Sequence, residues 1–306
     1  MTKAIDLFAG LGGFTTGARM AGTQVVWAAN HWPLAVEFHQ LNHPETDHIC
    51  QDLHQADWSQ VPAHDLLLAS PACQGHSHAR GKDRPHHDAA RSTAWAVVSA
   101  VEYHLPDAGL IENVASFLKW KLYPAWEQAM NALGYSISPH IVDAADHGVP
   151  QHRERVFIVA TKSKHPIKLS LPLRDHVPVS NIIEWDSHNW TPIRKPGRSK
   201  NTLARISRGR KDIGGDRFVM PYYGSGSGLT GRSLDRPIGT ITTRDRWAIV
   251  RGDKMRMLKA SECRAAMGFD ADYKLPDKHK DAVFMLGNAV CPQQAADFIE
   301  KLKKAA

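Results

Sequence analysis

Cysteine is scarce in this chain and never closely spaced. The four, Cys50, Cys73, Cys263 and Cys291, lie far apart with no Cys-x-x-Cys pair. That spacing argues against a disulfide framework or a zinc site and leaves reduced thiols as the simple reading. Long apolar runs are missing too. No stretch of about 18 apolar residues is present to span a bilayer. The start, Met1-Thr2-Lys3-Ala4, leads into a strand-like segment with no signal-peptide core. A soluble, cytoplasmic protein with no membrane partner is expected. An acidic excess is also lacking: 38 Lys and Arg face 31 Asp and Glu, a formal charge of +7. A basic balance suits a polyanionic partner without requiring one. There is no internal repeat and no low-complexity tract beyond a Gly/Ser segment at 224–231. With recurring apolar segments and 23% charged residues, global disorder is excluded.

What is present is an alternation of strand-like and helix-like stretches. Ala4–Phe8, Gln24–Ala29, Asp65–Ala69, Ala108–Ile111, Tyr135–Val142 and Arg155–Ala160 read as strands. Phe14–Met20, Pro33–Leu41, Asp88–His104 and Tyr123–Leu133 read as helices. The order predicts an α/β fold, a doubly wound, mostly parallel sheet with helices on both faces. Ligands on such sheets collect at the carboxyl ends of the strands. After about Lys162 the texture changes. Prolines and glycines interrupt any long period, and Lys and Arg are dense from Arg194 to Arg217. This predicts a second, smaller, loop-rich basic domain. Regular pattern returns at Lys259–Met267 and in a last helix, Pro292–Lys303.

Several candidate sites fall at strand ends. Asp6-Leu7-Phe8-Ala9-Gly10-Leu11-Gly12-Gly13 joins the first strand to the first helix. Its glycines allow a sharp turn and close approach to a ligand, or simply an ordinary strand-to-helix turn. A phosphate cradle is disfavoured, since no Gly-Lys-Ser/Thr follows. Phe8 could stack on an adenine ring, the Asn30-His31-Trp32 end of the second strand could meet a ribose, and Asp52 could accept from an adenine amino group. Ser70-Pro71-Ala72-Cys73-Gln74-Gly75 follows a buried strand, so Cys73 stands on a Pro/Gly-flanked turn where a thiol can be reactive. Glu112 ends another apolar strand. Arg153 and Arg155 occupy alternate positions and are expected on one side of an extended chain, where they could hold an anion.

Taken together, DLFAGLGG at 6–13, SPACQGHS at 70–77, ENV at 112–114, QHRER at 151–155, RPIGTITTRDR at 236–246 and GNAV at 287–290 resemble the DNA (cytosine-5)-methyltransferase family. Each is short; their joint order is specific. The resemblance covers about 1–160 and 236–300. It implies a Rossmann-like fold dependent on S-adenosylmethionine (AdoMet), which leaves as S-adenosylhomocysteine. It implies a catalytic domain of 1–165 plus 284–306 and a target-recognition, DNA-binding domain at 166–283. By motif match Cys73 is the nucleophile that adds to carbon 6 of a cytosine flipped out of double-stranded DNA, and methyl transfer goes to carbon 5. Glu112 would hydrogen-bond or protonate N3, and Arg153 and Arg155 would hold the base. AdoMet would contact Phe8, Gly10, Leu11, Gly13, His31, Asp52 and Asn288, while 74–88 would form a loop closing over the base.

Two positions depart from the family pattern. Ala72 stands where the family has proline before the cysteine, which implies weaker pre-organisation. His31 stands where an acidic residue usually grips the ribose, which implies weaker charge assistance. Beyond the motifs, DNA contacts are expected from Gln74, Ser77, Arg198, Lys200, Arg205, Arg208 and Arg210, with Lys195, Lys211 and Trp190 nearby and Tyr222 and Tyr223 on an approaching loop. His76, His78, His86 and His87 are irregularly spaced and read as solvated loop residues rather than metal ligands. A cognate restriction endonuclease is a further partner the resemblance admits; the oligomeric state is not legible. Two other functions compete. An RNA (tRNA) cytosine-5 methyltransferase would use the same core, but the Cys-Phe-Thr element of that branch is absent. A non-catalytic AdoMet-fold DNA-binding module would not need Cys73, Glu112 and both arginines.

Overall fold

The strand segments are apolar at consecutive positions because they are covered on both faces. Leu66–Ala69 (β4) and Ala108–Asn113 (β5) are buried at every residue, as expected for central strands of a parallel sheet. The computed structural model describes residues 2–72, 86–222 and 231–305. The chain divides into two compact units. The first comprises 1–144, 154–173 and 289–306; the second comprises 145–153 and 174–288. The division differs from the expected domains at three places: 145–153 and 284–288 group with the second unit, and 166–173 with the first.

The first unit is built on β1 (Lys3–Leu7), β2 (Gln24–Asn30), β3 (Asp47–Cys50), β4, β5, β6 (Ser136–Asp143) and β8 (Glu154–Thr161). Their spatial order is β3-β2-β1-β4-β5-β8-β6. The sheet is parallel except for β8, which runs antiparallel to both neighbours. Alternate residues of each strand enter opposite cores. Ile5, Leu7, Leu67, Ala69 and Ile111 pack beneath α3 (His86–His104) and α4 (Tyr123–Ala132). Ala4, Leu66, Leu68 and Leu110 pack beneath α1 (Gly13–Met20) and the terminal α8 (Pro292–Ala305). Helix α2 (Pro33–Asn42) links β2 to β3. Strand order reverses between β1 and β4, so the crevice beyond their carboxyl ends is the place for a ligand.

Helix α8 seats on α1 because two glycines leave it room. A Cβ on Gly13 would lie 2.0 Å from the Val290 carbonyl oxygen, and one on Gly17 would lie 2.5 Å from that of Pro292.

The second unit contains the β7 (Gln151–His152) and β11 (Ile238–Gly239) pair, plus a four-stranded antiparallel sheet. The sheet order is β10 (Arg217–Pro221), β12 (Trp247–Arg251), β13 (Lys254–Met257), β9 (Thr191–Pro192). Against it packs α5 (Lys200–Ile213), a helix where the sequence pattern suggested basic loop. The charge density hid its apolar stripe: Thr202, Ile206 and Gly209 are its buried residues, at helical spacing. Its end signals were in the sequence. The Ser199 side chain caps the Thr202 N–H, and Gly214 ends the helix at φ 69°. Helices α6 (Ala260–Ala266) and α7 (His279–Asn288) complete the unit. No helix among the described residues is long and apolar enough to cross a membrane.

Candidate active site

The β1–α1 turn bends through the left-handed region three times in five residues, at Phe8 (φ 59°), Gly10 (55°) and Gly12 (94°). Phe8 adopts it with a Cβ in place, a strained backbone that marks functional turns. Nothing stands closer than 3.8 Å to a Cβ built on Gly10, so this backbone is open as well as concave. Half-buried Phe8, exposed His31 and exposed Asp52 follow the carboxyl ends of the adjacent parallel strands β1, β2 and β3. These features fit an adenosyl ligand: an aromatic face, an open glycine turn and two polar groups along one sheet edge. Asp52 already accepts the His54 N–H at 3.0 Å, which leaves its second oxygen for a ligand. Leu11 is buried, and Gly13 is the packing glycine against Val290. Asn288 ends α7 in the second unit and is exposed.

Behind the turn lies a buried polar chain that the sequence reading missed. Thr15 Oγ1 donates to Asp6 Oδ2 at 2.8 Å and lies 3.1 Å from His39 Nε2, and His39 Nδ1 lies 2.7 Å from His48 Nε2. Burial pushes the Asp6 carboxyl up to about 7. Burial, then the neighbouring His48, pushes His39 down to about 3. Below about pH 7 an acid in its neutral form beside imidazoles in theirs lets this chain be buried without free charge.

Cys73, Gln74, Ser77, His76, His78 and Tyr223 lie outside the described residues. The segment leading to Cys73 is tied at both ends of the crevice. Ser70 donates its N–H to Leu7 O and its hydroxyl to Phe8 O, each at 3.1 Å. The buried Asn113 donates Nδ2 to Pro71 O at 3.0 Å. Ser70 and Asn113 stand inside the motifs at 70–77 and 112–114, yet the sequence reading gave neither a role, although both are polar residues at strand carboxyl ends.

Glu112, the residue before Asn113 on β5, is 7% exposed. It stands opposite Phe157 on β8. Arg155, two residues before Phe157, shares that face by strand alternation. Its Nε reaches Glu112 Oε1 at 3.1 Å. Arg153 departs from the expected alternation. It sits between β7 and β8, in neither strand. Its terminal nitrogens donate to the backbone carbonyls of Ile241 and Gly287 at 3.0 Å. The two arginines therefore do not act as one extended-chain pair.

The basic residues of the second unit are mostly engaged within the protein. Arg198 donates to Ile193 O, Pro192 O, Thr191 Oγ1 and Tyr222 Oη. Arg205 bonds Tyr222 O, Arg208 pairs with Asp212 at 3.0 Å, and Arg210 bonds Gly252 O and Asp253. Trp190 has Arg251 and Arg256 over its ring at 4.5 and 4.8 Å. Lys195 and Lys200 are exposed. Lys195, Arg198 and Arg205 line an open groove of about 600 Å³ with Asn201 and Tyr222. Among the described residues no group of three or more His, Cys, Asp or Glu is placed to hold a metal ion.

Comparison with known proteins agrees with this geometry. The family model for C-5 cytosine-specific DNA methylases matches residues 2–304. Type II methyltransferase M.HhaI of Haemophilus parahaemolyticus is 26% identical over 302 residues, covering 94% of this chain and 90% of the relative. Type II methyltransferase M.NgoBI of Neisseria gonorrhoeae is 26% identical over 301 residues, covering 95% and 89%. Among solved structures, that of Spodoptera frugiperda DNMT2 superposes with a TM-score of 0.75 at 16% identity, covering 99% of this chain and 100% of that one. A family match spanning nearly the whole chain makes this protein a member of the C-5 cytosine-specific DNA methylases.

Proposed function

We propose that the chain methylates carbon 5 of a cytosine in double-stranded DNA, with Cys73 as nucleophile and Glu112 and Arg155 as its partners at the base. One observation carries the residue assignment. The segment entering Cys73 is bonded through Pro71 to Asn113, directly beside the buried Glu112 and its Arg155 partner. Cytosine carbon 5 is a weak nucleophile. The Cys73 thiolate adds to carbon 6 and makes carbon 5 enamine-like. Glu112 gives a proton or hydrogen bond to N3, which offsets the charge built up by the addition, and the Arg155 guanidinium offsets that of the carboxylate left behind. When bound, AdoMet supplies the electrophilic methyl group. Removal of the carbon-5 proton by a base then lets the carbon–sulfur bond break and frees Cys73. Phe8, the Gly10 turn, His31 and Asp52 would hold the adenosyl moiety. The base leaves the duplex to reach these groups.

In this reading the second unit recognises the DNA. Lys195 and Lys200 are its free phosphate contacts, and Arg198, Arg205, Arg208 and Arg210 shape the surface that carries them. The type II relatives support a role beside a restriction endonuclease.

The test uses duplex DNA containing 5-fluorocytosine, which cannot lose a carbon-5 proton and so holds the enzyme covalently. Wild type should form the adduct, Cys73→Ala should form none while still binding AdoMet by calorimetry, and Glu112→Gln should slow single-turnover methylation by about two orders of magnitude. Turnover retained in Cys73→Ala, or labelled methyl appearing in transfer RNA and never in DNA, would rule this function out.

A further inference from the structure

Arg153 is 2% exposed and among the largest buried side chains of the described residues, an uncommon place for a guanidinium. Its Nη1 and Nη2 donate to the carbonyls of Ile241 and Gly287. Two residues earlier, the fully buried Gln151 accepts the Ile241 N–H on Oε1 at 2.6 Å and donates Nε2 to Ala266 O at 3.0 Å. Side chains of one short segment therefore hold both backbone groups of Ile241. The cause is topological. Strand β11 lies parallel to β7 for two residues only, Ile238 opposite Gln151 and Gly239 opposite His152. Thr240 Oγ1 then donates to His152 O at 2.8 Å. Beyond that point the ladder ends, and a buried peptide group still needs partners. Gln151 and Arg153 supply them.

The other carbonyl that Arg153 holds belongs to the last turn of α7, where helical carbonyls lack an internal partner and a cation suits the helix dipole. Gly287 closes the assembly. A Cβ there would lie 2.3 Å from both the Thr242 carbonyl carbon and the Thr243 nitrogen, so the helix end presses backbone to backbone on the turn. That turn exposes Arg244 beside half-buried Thr242 and Thr243, donors suited to phosphate oxygens.

We propose that Arg153 is a positioning residue: with Gln151 and Gly287 it fixes the Thr240–Arg244 turn and the end of α7, and it serves methylation through that turn rather than by touching the base. The inference rests on duplex DNA being the substrate. It is tested by single-turnover methylation across a range of duplex concentrations for Arg153→Lys, Gly287→Ala and the double variant. Lysine keeps the charge but lacks the fork that spans two carbonyls. Gly287→Ala leaves Arg153 untouched and pushes on the same turn. Each variant should raise the half-saturating DNA concentration about tenfold, the scale of one lost charge-assisted hydrogen bond. The saturated rate should stay within about twofold of wild type. The double variant should be no worse than the more severe single one, since both act on one element. If Gly287→Ala does not fold, Arg244→Ala takes its place in the cycle. A slowed saturated rate in Arg153→Lys at unchanged half-saturation, or effects that simply add, would overturn the proposal. A wild type inactive on every DNA would instead overturn the function on which it rests.

Discussion

Replacing Asp6 by asparagine should make the first unit gain stability relative to wild type as the pH rises from about 5 to about 7.5. Asp6 is fully buried in β1, and that burial raises its carboxyl from 3.8 to about 7 despite the bonds from Thr15. A raised native-state value means that the folded protein holds this proton more tightly than the unfolded chain. The resulting stability is complete below about 3.8 and is lost as the pH climbs to about 7. Each pKa unit is worth about 1.4 kcal/mol, so some two units above pH 5 amount to about 3 kcal/mol. His39 and His43 act in the opposite sense. Burial lowers both from 6.5 to about 3, so their contribution is present above about 6.5 and is lost as the pH falls toward 3. Wild type thus has two buried imidazoles favouring higher pH and one carboxyl opposing them. Asparagine keeps an oxygen for the Thr15 hydroxyl and deletes only the opposing contribution. Urea unfolding followed by tryptophan fluorescence at several pH values gives the free-energy difference between the two proteins. That difference should move in favour of the variant by about 3 kcal/mol across the interval. A constant difference would show that the carboxyl ionises alike in both states, and the argument from burial would fail.

Gly17→Ala would place a methyl 2.5 Å from Pro292 O and 2.6 Å from Ala295 Cβ. Forcing α8 off α1 in this way should destabilise the first unit by about 1–3 kcal/mol; an unchanged melting temperature would contradict the close contact. Lys200→Ala should lower the slope of log binding constant against log salt by about 0.9, one phosphate contact, with the fold intact. Arg198→Ala should leave that slope alone and instead lower the melting temperature, because its donors serve Ile193, Pro192, Thr191 and Tyr222. The reverse pattern would show that Arg198 and not Lys200 meets the DNA.

The sequence by itself determined the elements and the motif positions of the first unit. Runs such as Leu66–Ala69 and Ala108–Ile111 can be buried on both faces only in a central strand, and the turns after them can face only the sheet's carboxyl edge. Glu112 and the β1–α1 turn were legible for that reason. Helix α5 was also legible in principle through Ser199 and Gly214, but its charge masked a stripe of three buried residues. Tertiary structure alone decided who bonds to whom. Arg153 and Arg155 are two residues apart and look equivalent, yet a strand break between β7 and β8 sends one to the Ile241 and Gly287 carbonyls and the other to Glu112. Gly13 reads as a ligand-loop glycine, yet its missing Cβ makes room for the Val290 carbonyl, 277 residues further along the chain by their numbering. Local pattern carries the period of a strand or helix. It carries nothing about which distant backbone group will arrive with an unpaired carbonyl, because chain topology sets that meeting.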